Sequence, residues 1–138
     1  MTKKKKIIII SIVAAVLIIA GVVVGLMLKT VSDYKKKLES IQITDIDISS
    51  LSDGIYTGEY DVGLIYVKAE VTVVSGEITK IVLLKHENGQ GEAAESIVDT
   101  IIAEQSLDVA AITGATGSSK TILKAVEVAL LSEPKPLS

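Results

Sequence analysis

No cysteine occurs in this 138-residue chain, and that absence removes disulfides, thiolate metal sites, thiol redox chemistry and a lipid-modified cysteine together. It does not identify a compartment, because an extracytoplasmic domain can also be cysteine-free. Phenylalanine and tryptophan are missing as well, which leaves Tyr34, Tyr56, Tyr60 and Tyr66 as the only aromatic side chains. The base-stacking platforms of single-strand nucleic-acid binders are therefore not available. Positive charge is scarce beyond the first quarter of the chain. Residues 1–37 hold 8 of the 14 lysines and one acid, Asp33, leaving 6 basic against 16 acidic residues, a balance of −10. Such a surface repels phosphate backbones, so no nucleic-acid partner is expected. No internal repeat is present.

What the chain does have is one long apolar run. From Ile7 to Leu28 there are 22 residues without a charge, with Ser11 the one hydroxyl. As a helix the run is about 33 Å long, enough to cross the hydrocarbon core of a bilayer. This run also explains a mean hydropathy of +0.51. A cleavable signal peptide is the competing reading, since Lys3–Lys6 form a positive start. The run exceeds a usual signal core, and Gly21-Val22-Val23-Val24-Gly25-Leu26-Met27 holds no A-x-A-like cleavage site, so a retained anchor is expected. Lysines flank both ends, with Lys3–Lys6 before the run and Lys29 and Lys35–Lys37 after it. The lysines that abut the run are the N-terminal ones, which places the N-terminus inside and the C-terminal part outside the cell membrane.

The expected organisation is a basic segment 1–6, a transmembrane helix 7–28, a stalk 29–52, one domain 53–132 and a tail 133–138. Once the anchor is set aside, roughly 85 to 100 residues remain, the size of a single small domain. Asp53-Gly54 is a turn signal before a short strand at Ile55-Tyr56-Thr57. Val67, Ala69, Val71 and Val73 alternate with Lys68, Glu70 and Thr72, which predicts a half-buried strand. Ser75-Gly76-Glu77 then turns the chain into a second, more buried strand over Ile78–Lys85, paired antiparallel with the first. Tyr56 and Tyr66 read as half-buried strand aromatics.

Ala94, Ile97, Val98, Ile101 and Ile102 change the period to three and four, predicting an amphipathic helix over Glu92–Glu104. A second helix is predicted over Ser118–Leu131, with Ser118 or Ser119 as N-cap, ended by Pro134 and Pro136. Two helices on a small antiparallel sheet make an α+β fold, preceded by the transmembrane helix.

Three segments could carry chemistry. Gly89-Gln90-Gly91-Glu92-Ala93-Ala94 fits the G-x-G-x-x-A dinucleotide pattern, but the preceding strand belongs to a hairpin and too few strand–helix units follow. Gly114-Ala115-Thr116-Gly117-Ser118-Ser119-Lys120-Thr121 differs from the phosphate-binding G-x-x-x-x-G-K-T only at Ser119. Only 17 residues follow Thr121, too few to supply a magnesium-binding acid on a later strand. What survives is a small-residue loop feeding a helix start, with hydroxyls at Thr113, Thr116, Ser118 and Ser119: either a phosphate site or a plain capped helix. The third is the lone His86, which as a strand-end residue reads as exposed or capping.

Thr113-Gly114-Ala115-Thr116 followed by Gly117-Ser118-Ser119 resembles the S/T-G-A-T acceptor motif of the FMN-binding domain family. That family includes flavin-bearing subunits of sodium-translocating NADH:quinone reductases and small anchored bacterial proteins. The resemblance extends back through Gln105–Val109, the loop Lys85-His86-Glu87-Asn88-Gly89, the strand pair and Asp53–Gly58, and so covers most of residues 53–131. It implies FMN as cofactor, with Thr116 as the residue whose hydroxyl forms the phosphoester. A flavin transferase acting outside the cytoplasm would install the group, which agrees with an inside N-terminus. It also implies that Thr113, Gly114, Ala115, Gly117, Ser118 and Ser119 surround the phosphate, that His86 and Glu87 lie near the flavin, and that electrons pass to and from membrane redox partners.

The pattern departs at one place. The family usually has aspartate three residues before the S/T, where this chain has Ala110, with Asp108 two residues earlier. Both covalent and non-covalent FMN therefore stay open. With no evident acid/base pair, the domain reads as a carrier more than a self-sufficient enzyme. A flavin-free anchored module that binds a partner through its acidic face is the alternative.

Overall fold

The computed structural model describes residues 1–87 and 92–137, and its contacts define two units, Met1–Asp33 and Tyr34–Ser138. The first unit is carried by helix α1 (Lys3–Ser40). Every residue from Ile7 to Leu28 is exposed, and the helix is long and apolar enough to cross a membrane. The two hydroxyls in and just after the run are satisfied inside the helix, Ser11 donating to the Ile7 carbonyl (2.9 Å) and Thr30 to that of Leu26 (3.0 Å). The run thus presents no unpaired polar side chain to lipid.

The second unit is built on a three-stranded antiparallel sheet in the order β1 (Gly54–Asp61), β2 (Tyr66–Val74), β3 (Glu77–Glu87). The expected alternation holds along β2: Val67, Ala69, Val71 and Val73 are all fully buried, while their neighbours reach the other face. Ser75 and Gly76, with φ of 53° and 74°, make the two-residue β2–β3 turn. Positive φ at both positions is what a tight hairpin requires. The Asp53 carboxylate fastens this turn by accepting from the Ser75 amide at 2.7 Å.

β3 departs from its expected burial. Ile78 and Ile81 are buried, but Leu84 is 49% exposed. The cause is position, because β3 is an edge strand, and bulges after Lys68 and Thr72 of β2 shift its register against its neighbour.

The predicted helix over Glu92–Glu104 forms as two pieces, α2 (Glu92–Glu95) and α3 (Ile97–Glu104). At the break the Ser96 hydroxyl donates to the Ala93 carbonyl at 2.9 Å, competing for the backbone acceptors as serine does inside helices. Gln105 ends α3 in the left-handed region, φ 51°. Its side-chain amide both accepts from the Ile78 amide (2.7 Å) and donates to the Ile78 carbonyl (2.8 Å), stitching α3 to β3.

Helix α4 (Thr116–Leu130) crosses β1 and β2, burying Ile122, Val126, Ala129 and Leu130 against them. At Gly58 the helix backbone lies directly on the strand: a Cβ there would stand 2.2 Å from the Ala129 nitrogen and 2.7 Å from the Ala125 carbonyl oxygen.

The segment 29–52, expected as a stalk, is largely built into this unit. Its first part continues α1 to Ser40, and Ile41 and Ile48 enter the core. Three polar anchors hold it. Asp45 accepts from the Ser106 hydroxyl (2.9 Å) and the Leu107 amide (3.0 Å), Lys124 donates to the Gln42 carbonyl (3.1 Å), and buried Glu127 pairs with Lys124 (3.1 Å) while facing the Thr44 amide (3.4 Å). Isoleucines at 41, 43, 46 and 48 read as a polar-interrupted spacer because the groups that anchor this segment lie 61 to 83 residues away in sequence. The tail is also engaged, since Lys135 and Ile55 exchange backbone hydrogen bonds at 2.8 Å on the outer edge of β1. Replacing Glu127 by alanine should cost about 2 kcal/mol, the scale for removing a buried charged acceptor. Faster hydrogen exchange at the Thr44 amide, with little change at Val71, is the expected readout.

Candidate functional site

The small-residue loop reverses direction just before α4. The Ala115 amide donates to the Ile112 carbonyl at 2.9 Å, and Gly114 takes a φ of +79° at the third position of that turn. A Cβ at Gly114 would meet nothing, so glycine is needed there for its backbone angle and not for space. Helix α4 then begins at Thr116, two residues earlier than expected, with Ala115 as its N-cap and no side chain capping it.

Ser118 or Ser119 is the expected N-cap, and neither caps the helix. Both are buried, and the Ser119 hydroxyl accepts from the Ile112 amide at 3.0 Å. It braces the turn from inside. Thr121, also buried, donates to the Gly117 carbonyl at 2.8 Å. With no side chain folded back over the helix start, the first intrahelical acceptor, the Ala115 carbonyl, is taken by the Ser119 amide (2.9 Å). The amides of Thr116, Gly117 and Ser118 precede that bond and have no acceptor among the described residues. Three free N–H groups and the positive end of a fifteen-residue helix therefore converge beside the exposed Thr116 hydroxyl.

Around this point the structure brings up residues that sequence reasoning missed. The Tyr34 hydroxyl, Leu38 and Ile65 crowd the open side of Gly117, where a Cβ would lie 2.2 Å from the tyrosine oxygen and 3.5 Å from each aliphatic neighbour. The one available signal was the i, i+4 spacing of Tyr34 and Leu38 inside a lysine-rich stretch. On another side of α4, Lys120 follows Thr116 by one helical turn and lines a cleft of about 420 Å³ with Ile43, Leu107, Asp108, Val109 and Leu123. Ala110, at the place of the family's acid, is exposed, as is Asp108.

His86 and Glu87 are parted by strand alternation. His86 turns inward opposite Val67, its Nδ1 at 3.2 Å from the Glu95 carboxylate, and its buried Nε2 has no partner among the described residues. Glu87 turns outward and pairs with Lys85 at 3.1 Å. Both lie at the end of the sheet where Ile65, which reaches Gly117, leads into β2. On the outward face Tyr66 donates to Glu59, and that carboxylate raises the phenol above its ordinary value. Asn88, Gly89, Gln90 and Gly91, with the first half of the G-x-G-x-x-A pattern, lie outside the described residues. The G-K-T-like comparison gains no support, because the described sheet is antiparallel throughout and offers no parallel strand before α4.

An exposed hydroxyl, three unclaimed amides and a helix dipole form a donor set suited to a phosphate group. The loop's tightness also matters, since glycine at 114 and the braced Ser119 hold those donors in place before any ligand arrives. A family model described as the FMN-binding domain matches residues 64–131. No curated protein and no solved structure matches the chain.

Proposed function

We propose that this protein is a membrane-anchored flavoprotein that carries FMN at the start of α4 and relays electrons, a reading supported by the match of residues 64–131 to the FMN-binding domain family. The observation that carries the reading is the coincidence of the matched segment with a helix start that has three free amides and an exposed Thr116. The phosphate is held by the amides of Thr116, Gly117 and Ser118, within reach of the Thr116 hydroxyl. FMN supplies the one- and two-electron chemistry, and the protein supplies position and field.

Attachment through Thr116 is the proposed mode, installed by a flavin transferase on the outer side of the membrane. An ester has a physical advantage there, because a cofactor free to diffuse would be lost to the medium. Thr116 is suited to it, being exposed and free of any intrahelical side-chain bond, whereas the Ser119 hydroxyl is already spent. The membrane span keeps the carrier near membrane redox partners, so its donor and acceptor are reached by lateral encounter. An acidic balance of −10 beyond residue 37 favours partners with a basic face.

Full-length protein purified in detergent after coexpression with a transferase is expected to be yellow, with about one flavin per chain by absorbance. Protein that stays colourless after coexpression and after soaking in FMN would sink the proposal and leave a flavin-free interaction module.

A further inference from the structure

Resting on that flavin reading, we infer that Tyr34 completes the phosphate site, its phenolic hydroxyl donating a hydrogen bond to the FMN phosphate at the start of α4. Tyr34 lies outside the matched segment 64–131, so the family match says nothing about it. Its oxygen stands against Gly117, the second residue of the helix, so close that a methyl group in place of the glycine hydrogen would be 2.2 Å away. Glycine at 117 is what admits the phenol.

The hydroxyl reaches this point without a protein acceptor. Tyr56 donates to the Ser52 carbonyl at 2.7 Å and Tyr66 to Glu59, whereas Tyr34 has no hydrogen-bond partner among the described residues. Beside it at Gly117 stand the aliphatic ends of Leu38 and Ile65. An O–H donor therefore joins three N–H donors at one helix end. The three amides can only donate and the phenol can donate as well, and a phosphate has oxygens enough for all four. Leu38, one turn after Tyr34, packs on the same place and fixes the ring's direction, while the half-buried phenol loses little rotamer freedom on binding.

A phosphate contact differs from a packing role in one measurable way. FMN and riboflavin share the ring and ribityl chain and differ by the phosphate, so a phosphate donor affects the first ligand alone. The test uses the full-length chain in detergent, made without a transferase, with FMN and riboflavin titrated by quenching of flavin fluorescence on wild type and Tyr34→Phe. The expected result is that wild type prefers FMN, and that Tyr34→Phe weakens FMN about tenfold, the scale of one hydrogen bond to a charged group, while riboflavin changes by less than about twofold.

Equal weakening of both flavins would make Tyr34 a packing residue and overturn the inference. Unchanged FMN affinity in Tyr34→Phe, or a wild type that holds FMN no better than riboflavin, would overturn it too while leaving a flavoprotein. A wild type that binds neither flavin and also gains none from a transferase removes the flavin reading itself.

Discussion

Full-length protein made with a flavin transferase is expected to gain the mass of one FMN ester, and Thr116→Ala to gain none. The structure makes this an all-or-none comparison. Thr116 is exposed at the first position of α4, while the nearby hydroxyls of Ser119 and Thr121 are buried and engaged with the Ile112 amide and the Gly117 carbonyl. Moving the ester to either would require breaking the turn. Thr113 is exposed and is the one alternative in the loop, so a mass gain that survives Thr116→Ala and disappears in Thr113→Ala would relocate the attachment.

The rate of attachment is a separate matter from its site. Ala110 lacks the acid that the family pattern places three residues before Thr113, and nothing beside it replaces that acid, since Asp108 is exposed and two residues removed. Ala110→Asp is therefore expected to speed ester formation roughly a hundredfold, the lower end of what a positioned acid or base contributes. Intact mass against time, with enzyme and donor fixed, measures it. Equal rates in wild type and Ala110→Asp would show that the acid at this position has no part in the transfer. Ala110 is exposed, so the substitution should leave thermal stability unchanged.

The second large effect is structural. Gly58→Ala is expected to destabilise the domain by about 3 kcal/mol, the upper range for inserting a methyl group into close packing. A side chain at the end of a flexible arm could step aside, but the atoms in the way are the Ala129 nitrogen and Cα and the Ala125 carbonyl, at 2.2, 2.6 and 2.7 Å. They belong to the backbone of α4, so the whole helix must lift from β1, taking Ile122, Val126 and Leu130 with it. For a domain of this size the midpoint of thermal unfolding should fall by roughly 12–24 °C. Gly63→Ala is the contrasting variant: φ there is +98° with open space around it, so the cost is backbone strain of about 1 kcal/mol. Similar midpoints for the two variants would mean that α4 accommodates the methyl group by sliding. Because α4 aims the free amides at the site, Gly58→Ala should also lower flavin uptake, whereas Gly63→Ala should not.

Much of this was legible in the chain because it depends on neighbours in sequence. The membrane run is a matter of composition over consecutive residues. The β2–β3 hairpin is a period of two interrupted by Ser75-Gly76, and the interruption itself dictates the turn. The acceptor loop is equally local: Gly114 supplies the positive φ, and helix-forming residues follow at once, so a start of helix with exposed donors could be read from residues 113–121 alone.

Other features needed partners brought from far away. Asp45, Gln42 and Thr44 read as a polar spacer until Leu107, Lys124 and Glu127 are beside them, and only then do Ile41 and Ile48 become core. Ser119 has the composition of a helix cap and becomes a buried brace because α4 starts at Thr116 and Ile112 needs an acceptor. His86 and Glu87, adjacent in sequence, face opposite sides of the sheet by strand alternation, but which of them turns inward depends on the side that is covered. Tyr34 is the sharpest case. Residue by residue it is one aromatic among lysines, and only the packing of Tyr34 and Leu38 beside Gly117 brings its hydroxyl to the start of α4. Local periodicity determined the elements and the loop that ends in Thr116. What surrounds that loop was decided by tertiary packing, because groups from distant parts of the chain meet only when the apolar faces between them are buried.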